Sequence, residues 1–183
     1  RIFGVWFNPT PDDIFGNTAQ DLTPPTFSQS AYRWFENTNA TSVGVALAAQ
    51  DTATTLTTSS QVFRLRLSVD AANNGGRRYW VNAKLQYATS TGACDVGYSG
   101  ETYIDVATSS GPIILFDNAL PLDGATSTAT SSDPVHGGHP ATAQTYEEAN
   151  PFTNSISRVA SGTDGIWDFA LKDNNAPTVT TYC

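Results

Sequence analysis

The sequence predicts an all-β domain, an immunoglobulin-like antiparallel β-sandwich with an N-terminal strand extension. Three observations carry that expectation. Apolar and polar residues alternate with period two in several short segments, the mark of half-buried antiparallel strands. Turn-rich stretches separate those segments, with no helical crossover between them. The chain also carries 25 threonines and 16 serines in 183 residues but only two lysines, Lys84 and Lys172, a composition that favours strands with an uncharged surface.

Residues 1–8 (RIFGVWFN) hold Ile2, Phe3, Val5, Trp6 and Phe7, too apolar to hang in water. Residues 9–26 pass through Pro9, Pro11, Pro24 and Pro25 among Asp, Thr, Gly and Asn, which is linker composition. The chain therefore divides into an apolar strand over 1–8, a spacer over 9–26 and a sandwich over 27–183. Two roles stand open for residues 2–7: first strand of their own sheet, or a strand offered to a neighbour.

Within the sandwich, strands are expected at Tyr32–Glu36 and Val43–Ala49. Val62–Val69 puts Phe63, Leu65, Leu67 and Val69 on one face and Arg64, Arg66 and Ser68 on the other. Tyr79–Ala88 answers it, with Val81, Ala83, Leu85 and Tyr87 inward and Asn82, Lys84 and Gln86 outward. Between them Asn73-Asn74-Gly75-Gly76 signals a hairpin, because Asn and Gly tolerate positive φ. Shorter strands are expected at Thr102–Val106 and Ile113–Phe116. Asp123–Gln144, rich in Ala, Thr and Ser, reads as a surface connection, either ordered or mobile. Thr145–Ala149 (TYEEA) is the one helix-like stretch, cut off by Pro151. Ile166–Lys172 closes the series, with Trp167, Phe169 and Leu171 alternating with Asp168, Ala170 and Lys172.

Composition narrows the function. A formal net charge of −8, a pI near 4.4 and 14% charged residues argue against nucleic acid, whose phosphates demand a basic face. The same acidity argues against charge-driven binding to an anionic membrane. No apolar run approaches the roughly 20 residues that span a bilayer, so membrane insertion is not expected. A chain without Met, starting at Arg1, reads as a processed product or a fragment. Cys94 and Cys183 lack CxxC spacing and a neighbouring His cluster, and in this composition they read as one disulfide. It would close a loop of about 90 residues, worth about 4–5 kcal/mol in the chain-entropy model. Two unpaired thiols are the alternative. A secreted, extracellular or cell-surface location follows from the disulfide reading.

Several segments together resemble an uncharacterised family of secreted Thr/Ser-rich β-sandwich domains in surface proteins of candidate-phylum bacteria. They are AYRWFENTNATSVGVALAAQDT (31–52), FRLRLSV (63–69), KLQYATSTGACD (84–95), DPVHGG (133–138), QTYEEANPFTNS (144–155) and DGIWDFALKDNNAPTVTTYC (164–183). The likeness covers most of residues 31–183 and not residues 1–26. It implies an extracellular surface location, a disulfide between Cys94 and Cys183, and no catalytic residues. In that family the Thr-Tyr-Cys motif is followed by a further short strand, whereas here the chain stops at Cys183. A sandwich lacking its last strand exposes unpaired backbone groups beside an open core groove. The 18-residue spacer reaches at most about 60 Å. The expectation is donor-strand complementation: Ile2, Phe3, Val5, Trp6 and Phe7 of one copy complete the sheet of the next. Such head-to-tail contacts build an open filament, a pilus-like fibre or a surface layer. The partner is then a second copy of the chain. The alternative is a monomeric cell-surface adhesion or carbohydrate-binding module.

No nucleophile elbow, P-loop or dinucleotide fingerprint occurs, and no catalytic residue is expected. Nor is any cofactor. His136 and His139, separated by two glycines, are candidate ligands for Zn²⁺ or Cu²⁺, but such a site needs three or four ligands. Asp133, Glu147 and Glu148 would join them only through the accident of folding, and a plain surface turn is the expectation. Asp117, Asn118 and Asp123-Gly124, or Asp164 with Asp168, offer oxygen ligands to Ca²⁺ but lack the spacing of an EF-hand loop. A glycan ligand would stack on aromatic rings drawn from Tyr32, Trp34, Trp80, Tyr98, Tyr103, Trp167 and Tyr182, unless these fill the core. Asn39-Ala40-Thr41 is a glycosylation sequon.

Overall fold

The alternating segments form strands, and no helix occurs among the described residues. The computed structural model describes residues 4–7, 26–72, 78–92, 94, 100–149, 152–153 and 156–183, with 4–7 and 152–153 described by backbone only. The strands are β1 (Gly4–Phe7), β2 (Thr26–Glu36), β3 (Val62–Ala72), β4 (Arg78–Tyr79), β5 (Asn82–Tyr87) and β6 (Ile104–Asp105). They continue with β7 (Ile113–Leu115), β8 (Ala141–Glu147), β9 (Phe152–Thr153), β10 (Val159–Ala160) and β11 (Thr163–Asp173).

In the larger sheet β2, β3, β11 and β7 lie in that order, and β8 joins β11 beside β7. β8 runs parallel to β11, while every other pairing between these strands is antiparallel. In the second sheet β5 is central, with β1 on one edge and β6 and β9 on the other. β4 and β10 form a short separate pair.

The hairpin expected across Asn73–Gly76 does not form between β3 and β5. Both edges of β3 are taken along their length, by β2 and by β11, so β5 belongs to the other sheet. The two alternating faces meet through the core instead. Leu65, Leu67 and Val69 share one buried cluster with Val81, Ala83, Leu85, Trp34, Trp167 and Phe169. Residues 73–77 themselves lie outside the described residues. Of Val43–Ala49, only Ala46 bridges, to Phe35, with Glu36 and Leu47 amides closing the contact. TYEEA is not helical: it ends β8, because Gly124–Ser127 hydrogen-bonds along it and Tyr146 stacks beneath Arg64 at 4.3 Å.

The polar face of β3 is not solvated either. Arg64, Arg66 and Ser68 are fully buried, and residues 38–41, Thr128 and Asp133 fold over the two arginines. Within Asp123–Gln144, Thr128 and Asp133 thus help to cover that face, and residues 141–144 belong to β8. Cys94 and Cys183 form a disulfide across 89 residues, with Cα atoms 5.5 Å apart.

The backbone at Cys183 also joins the sheet. Ala88 and Cys183 exchange two hydrogen bonds of 2.8 and 2.7 Å, and the Ser90 amide donates to the Thr181 carbonyl. Alternate residues of a strand direct their backbone groups to opposite edges. Leu85 accepts from Val106 on the β6 edge, so Ala88 points to the edge that β1 occupies. Residues 4–7 and 181–183 therefore share one edge of the second sheet.

Candidate functional site

Two places bear on function: that shared edge, and the buried polar face of the larger sheet. At the edge, β1 pairs with β5 of its own chain in the register Gly4↔Gln86, Val5↔Leu85, Trp6↔Lys84 and Phe7↔Ala83. The β5 edge expected to receive a neighbour's strand is thus paired by the chain's own β1 backbone. Ile2 and Phe3 lie outside the described residues, and only the backbone of Val5, Trp6 and Phe7 is described.

On the polar face, the side chains follow one phase of β3 and of β11: Arg64, Arg66, Ser68 and Asp70 against Asp164 and Asp168. Its first half is charge-balanced. Arg64 donates to both oxygens of Asp168, at 2.8 and 2.7 Å, and Arg66 donates to Asp168 at 3.0 Å and to Asp133. Remaining guanidinium donors reach the carbonyls of Thr38, Ala40, Thr41 and Thr128. Four formal charges cancel there, and nearly every donor is used.

The second half is different. Asp70 and Asp164 stand directly opposite in the β3–β11 register and therefore share a face. Asp164 is wholly buried and Asp70 nearly so. Two serines, Ser30 and Ser68, donate to Asp164 Oδ2 at 3.0 and 2.8 Å. Asp164 Oδ1 has no hydrogen-bond partner. Facing it are the two histidines. The His139 amide donates to the His136 carbonyl at 3.0 Å, and Gly138 adopts φ 83°, which closes the turn and folds both imidazoles to one side. Their ring centroids are 4.4 Å apart. His136 Nδ1 lies 3.7 Å and His139 Nδ1 3.6 Å from Asp164 Oδ1, and His139 Nδ1 is 2.8 Å from Asp70 Oδ1. The turn is fixed to the sheet, since the Asp164 amide donates to the Pro140 carbonyl at 2.9 Å.

The histidine pair thus stands where the sequence put it, in a turn, but its acidic neighbours are Asp70 and Asp164. Asp133 is engaged by Arg66, Glu147 accepts from the Thr145 hydroxyl, and Glu148 accepts from the Tyr146 hydroxyl and the Asn118 amide. Burial pushes the Glu147 carboxyl up to about 8, with the Thr145 hydroxyl opposing and Asp123 adding to the rise. Burial also raises Glu148 against hydrogen bonds from Tyr146 and the Asn118 amide. Of the oxygen ligands considered for Ca²⁺, Asp168 is engaged by two arginines, Asp123 accepts from the amides of Glu148 and Ala149, and Asn118 Oδ1 accepts from Asn37, while Asp164 keeps Oδ1 without a hydrogen bond.

Of the rings considered for stacking sugars, Tyr32, Trp34 and Trp167 are buried in the core. Trp80, Tyr103 and Tyr182 are half-buried, Trp80 lying under Arg158 and Tyr182 against Tyr87. Tyr98 lies outside the described residues. Asn39 of the sequon is exposed. Comparison with family models, with curated proteins and with solved structures finds no match for the chain.

Proposed function

We propose that this chain is an extracellular, non-enzymatic surface module whose leading strand closes its own sheet. The pairing of Gly4–Phe7 with Gln86–Ala83 carries this reading. The disulfide supports an oxidising location, because such bonds persist outside the reducing cytosol. We take the fold as an immunoglobulin-like sandwich in the broad sense, two sheets over one apolar core, with the parallel β8–β11 pair as a departure from that pattern. Its role is structural or adhesive, with the half-buried rings of Trp80, Tyr103 and Tyr182 as the candidate contacts for a glycan.

The second reading is a filament or surface layer built by exchanging β1 between copies. One observation favours it: β1 is joined to β2 through the 18 spacer residues, so a neighbour's β1 meets the same β5 edge with the same hydrogen bonds. A cross-link separates the two. Trp6 and Lys84 are register partners, a geometry that accepts a disulfide. In a Trp6→Cys/Lys84→Cys chain, self-closure gives a single monomer band on a non-reducing gel and a monomer in sedimentation. Exchange gives a ladder and fibres in negative-stain microscopy, and deleting residues 1–8 abolishes both.

A further inference from the structure

We infer that Asp70, His136, His139 and Asp164 form a binding site for a divalent transition metal, with Zn²⁺ the best fit. The ligand atoms of all four residues lie within 4.8 Å of one another. Tetrahedral Zn²⁺ with bonds of 2.0–2.1 Å sets its ligands about 3.3 Å apart. The two imidazole-to-Asp164 distances, 3.7 and 3.6 Å, are already close to that, and the 2.8 Å contact between His139 and Asp70 needs to open by about half an ångström.

An independent observation points to the same ligand. A fully buried carboxylate oxygen, Asp164 Oδ1, accepts no hydrogen bond, and His136 Nδ1, also shielded and without a partner, faces it. Leaving such atoms unsatisfied is costly, and a cation between them answers both at once. The charge count agrees. Two carboxylates stand directly opposite across an antiparallel pair, and among the described residues no arginine or lysine pairs with either. A divalent ion cancels their charge, as Arg64 and Arg66 cancel that of Asp168 and Asp133 one turn of the pleat away.

The supporting shell is in place. Ser30 and Ser68 hold Asp164 by Oδ2 and leave Oδ1 to bind. Two nitrogen and two oxygen ligands suit Zn²⁺, Cu²⁺ or Ni²⁺ rather than Ca²⁺. The histidine side chains are 40% and 31% exposed, which provides an entry path. Four protein ligands make the site a closed, structural one, pinning the 136–139 turn to β3 and β11.

The test loads the full chain with ZnCl₂, removes free metal by gel filtration, and measures bound zinc by plasma mass spectrometry. Calorimetry and a melting curve accompany it. One equivalent of zinc and a metal-dependent rise in melting temperature are expected, with Co²⁺ giving the intense visible absorption of a tetrahedral site. His136→Ala/His139→Ala changes only part-exposed side chains and should abolish retention while the far-ultraviolet spectrum stays the same. Ser68→Ala should weaken affinity by about 10- to 100-fold, as loss of an orienting partner does elsewhere. Absence of retained zinc in the parent chain overturns the proposal, as does undiminished zinc in the double histidine variant. Neither result depends on whether β1 is exchanged between copies.

Discussion

Arg64 and Asp168 meet through two hydrogen bonds, at 2.8 and 2.7 Å, with both side chains fully withdrawn from solvent. Asp168 serves Arg66 as well, so one carboxylate holds two guanidinium groups. Asp168→Ala would leave two buried guanidinium groups with only Asp133 to balance them, one positive charge uncompensated. The expected loss is about 3–5 kcal/mol in urea unfolding. The contrast is Asp105→Asn, which breaks the half-exposed contact with Lys84 and should change stability by less than about 1 kcal/mol. Similar losses from the two variants would contradict the buried-layer account.

Glu147 sets a pH dependence. Its ordinary value of 4.5 is raised to about 8, so between those limits the folded chain keeps a proton that the unfolded chain has released. The folded state then binds more protons, and stability falls as pH rises. Its contribution is fully present below about 4.5 and gone above about 8, a change on the order of a few kcal/mol. Glu147→Gln should flatten that slope and leave the variant more stable than the parent at pH 9. Denaturation midpoints across this range decide it. Glu148 moves in the same direction, so some slope should survive in the variant.

Gly165 is needed for space rather than for an unusual φ. A Cβ there would lie 2.6 and 2.7 Å from Cζ3 and Cη2 of Trp167 and 2.8 Å from Cγ2 of Val159. The indole, fully buried two residues along the same strand face, lies over the glycine. Gly165→Ala should cost about 1–3 kcal/mol by overpacking. In a Trp167→Leu background the added methyl should cost less, and a double-mutant cycle measures the coupling. Additive effects would show that the ring is not what excludes the side chain.

The disulfide closes 89 residues, a long loop for which the chain-entropy model gives about 4–5 kcal/mol. Cys94→Ser/Cys183→Ser should lose stability on that scale in guanidinium unfolding. Parent chain held in reductant should match the variant. A midpoint unchanged by reduction would contradict the expectation.

Much of the fold was legible because strand alternation is a local property. VFRLRLSV and IWDFALK gave β3 and β11 with the right residues inward. Partnership was not legible, since nothing in Asn73–Gly76 records that both edges of β3 are already occupied by segments far away in sequence. Alternation put the arginines of β3 on the face opposite Phe63, Leu65, Leu67 and Val69 but says nothing about what covers that face. Their cover comes from residues near 40 and 130, held by carbonyl contacts that leave no sequence signal. TYEEA misled for a related reason: a short polar run has weak helical character, and tertiary pairing with β11 and Gly124–Ser127 overrode it. At the cluster of Asp70, His136, His139 and Asp164, the His-Gly-Gly-His turn was visible and Asp164 stood out as a cation ligand beside Asp168, while Asp70 and the meeting of either aspartate with the histidines were not. Their signal existed in the polar phase of each strand, one step beyond Ser68 and two steps before Asp168.

The Cys94–Cys183 link has a mechanical consequence for the chain under tension. Tension between β1 and Cys183 passes through the sulfur bridge, and β6 through β11, inside the loop that it closes, bear none of the lengthening. Only the stretch up to Cys94 can pay out, about 340 Å at full extension against about 660 Å for the reduced chain. The bond thus acts as a tether stop: β1 through β5 and the 38–41 cover lie in the stretch that can lengthen, while the cover at Thr128 and Asp133 stays looped beyond reach of the pull.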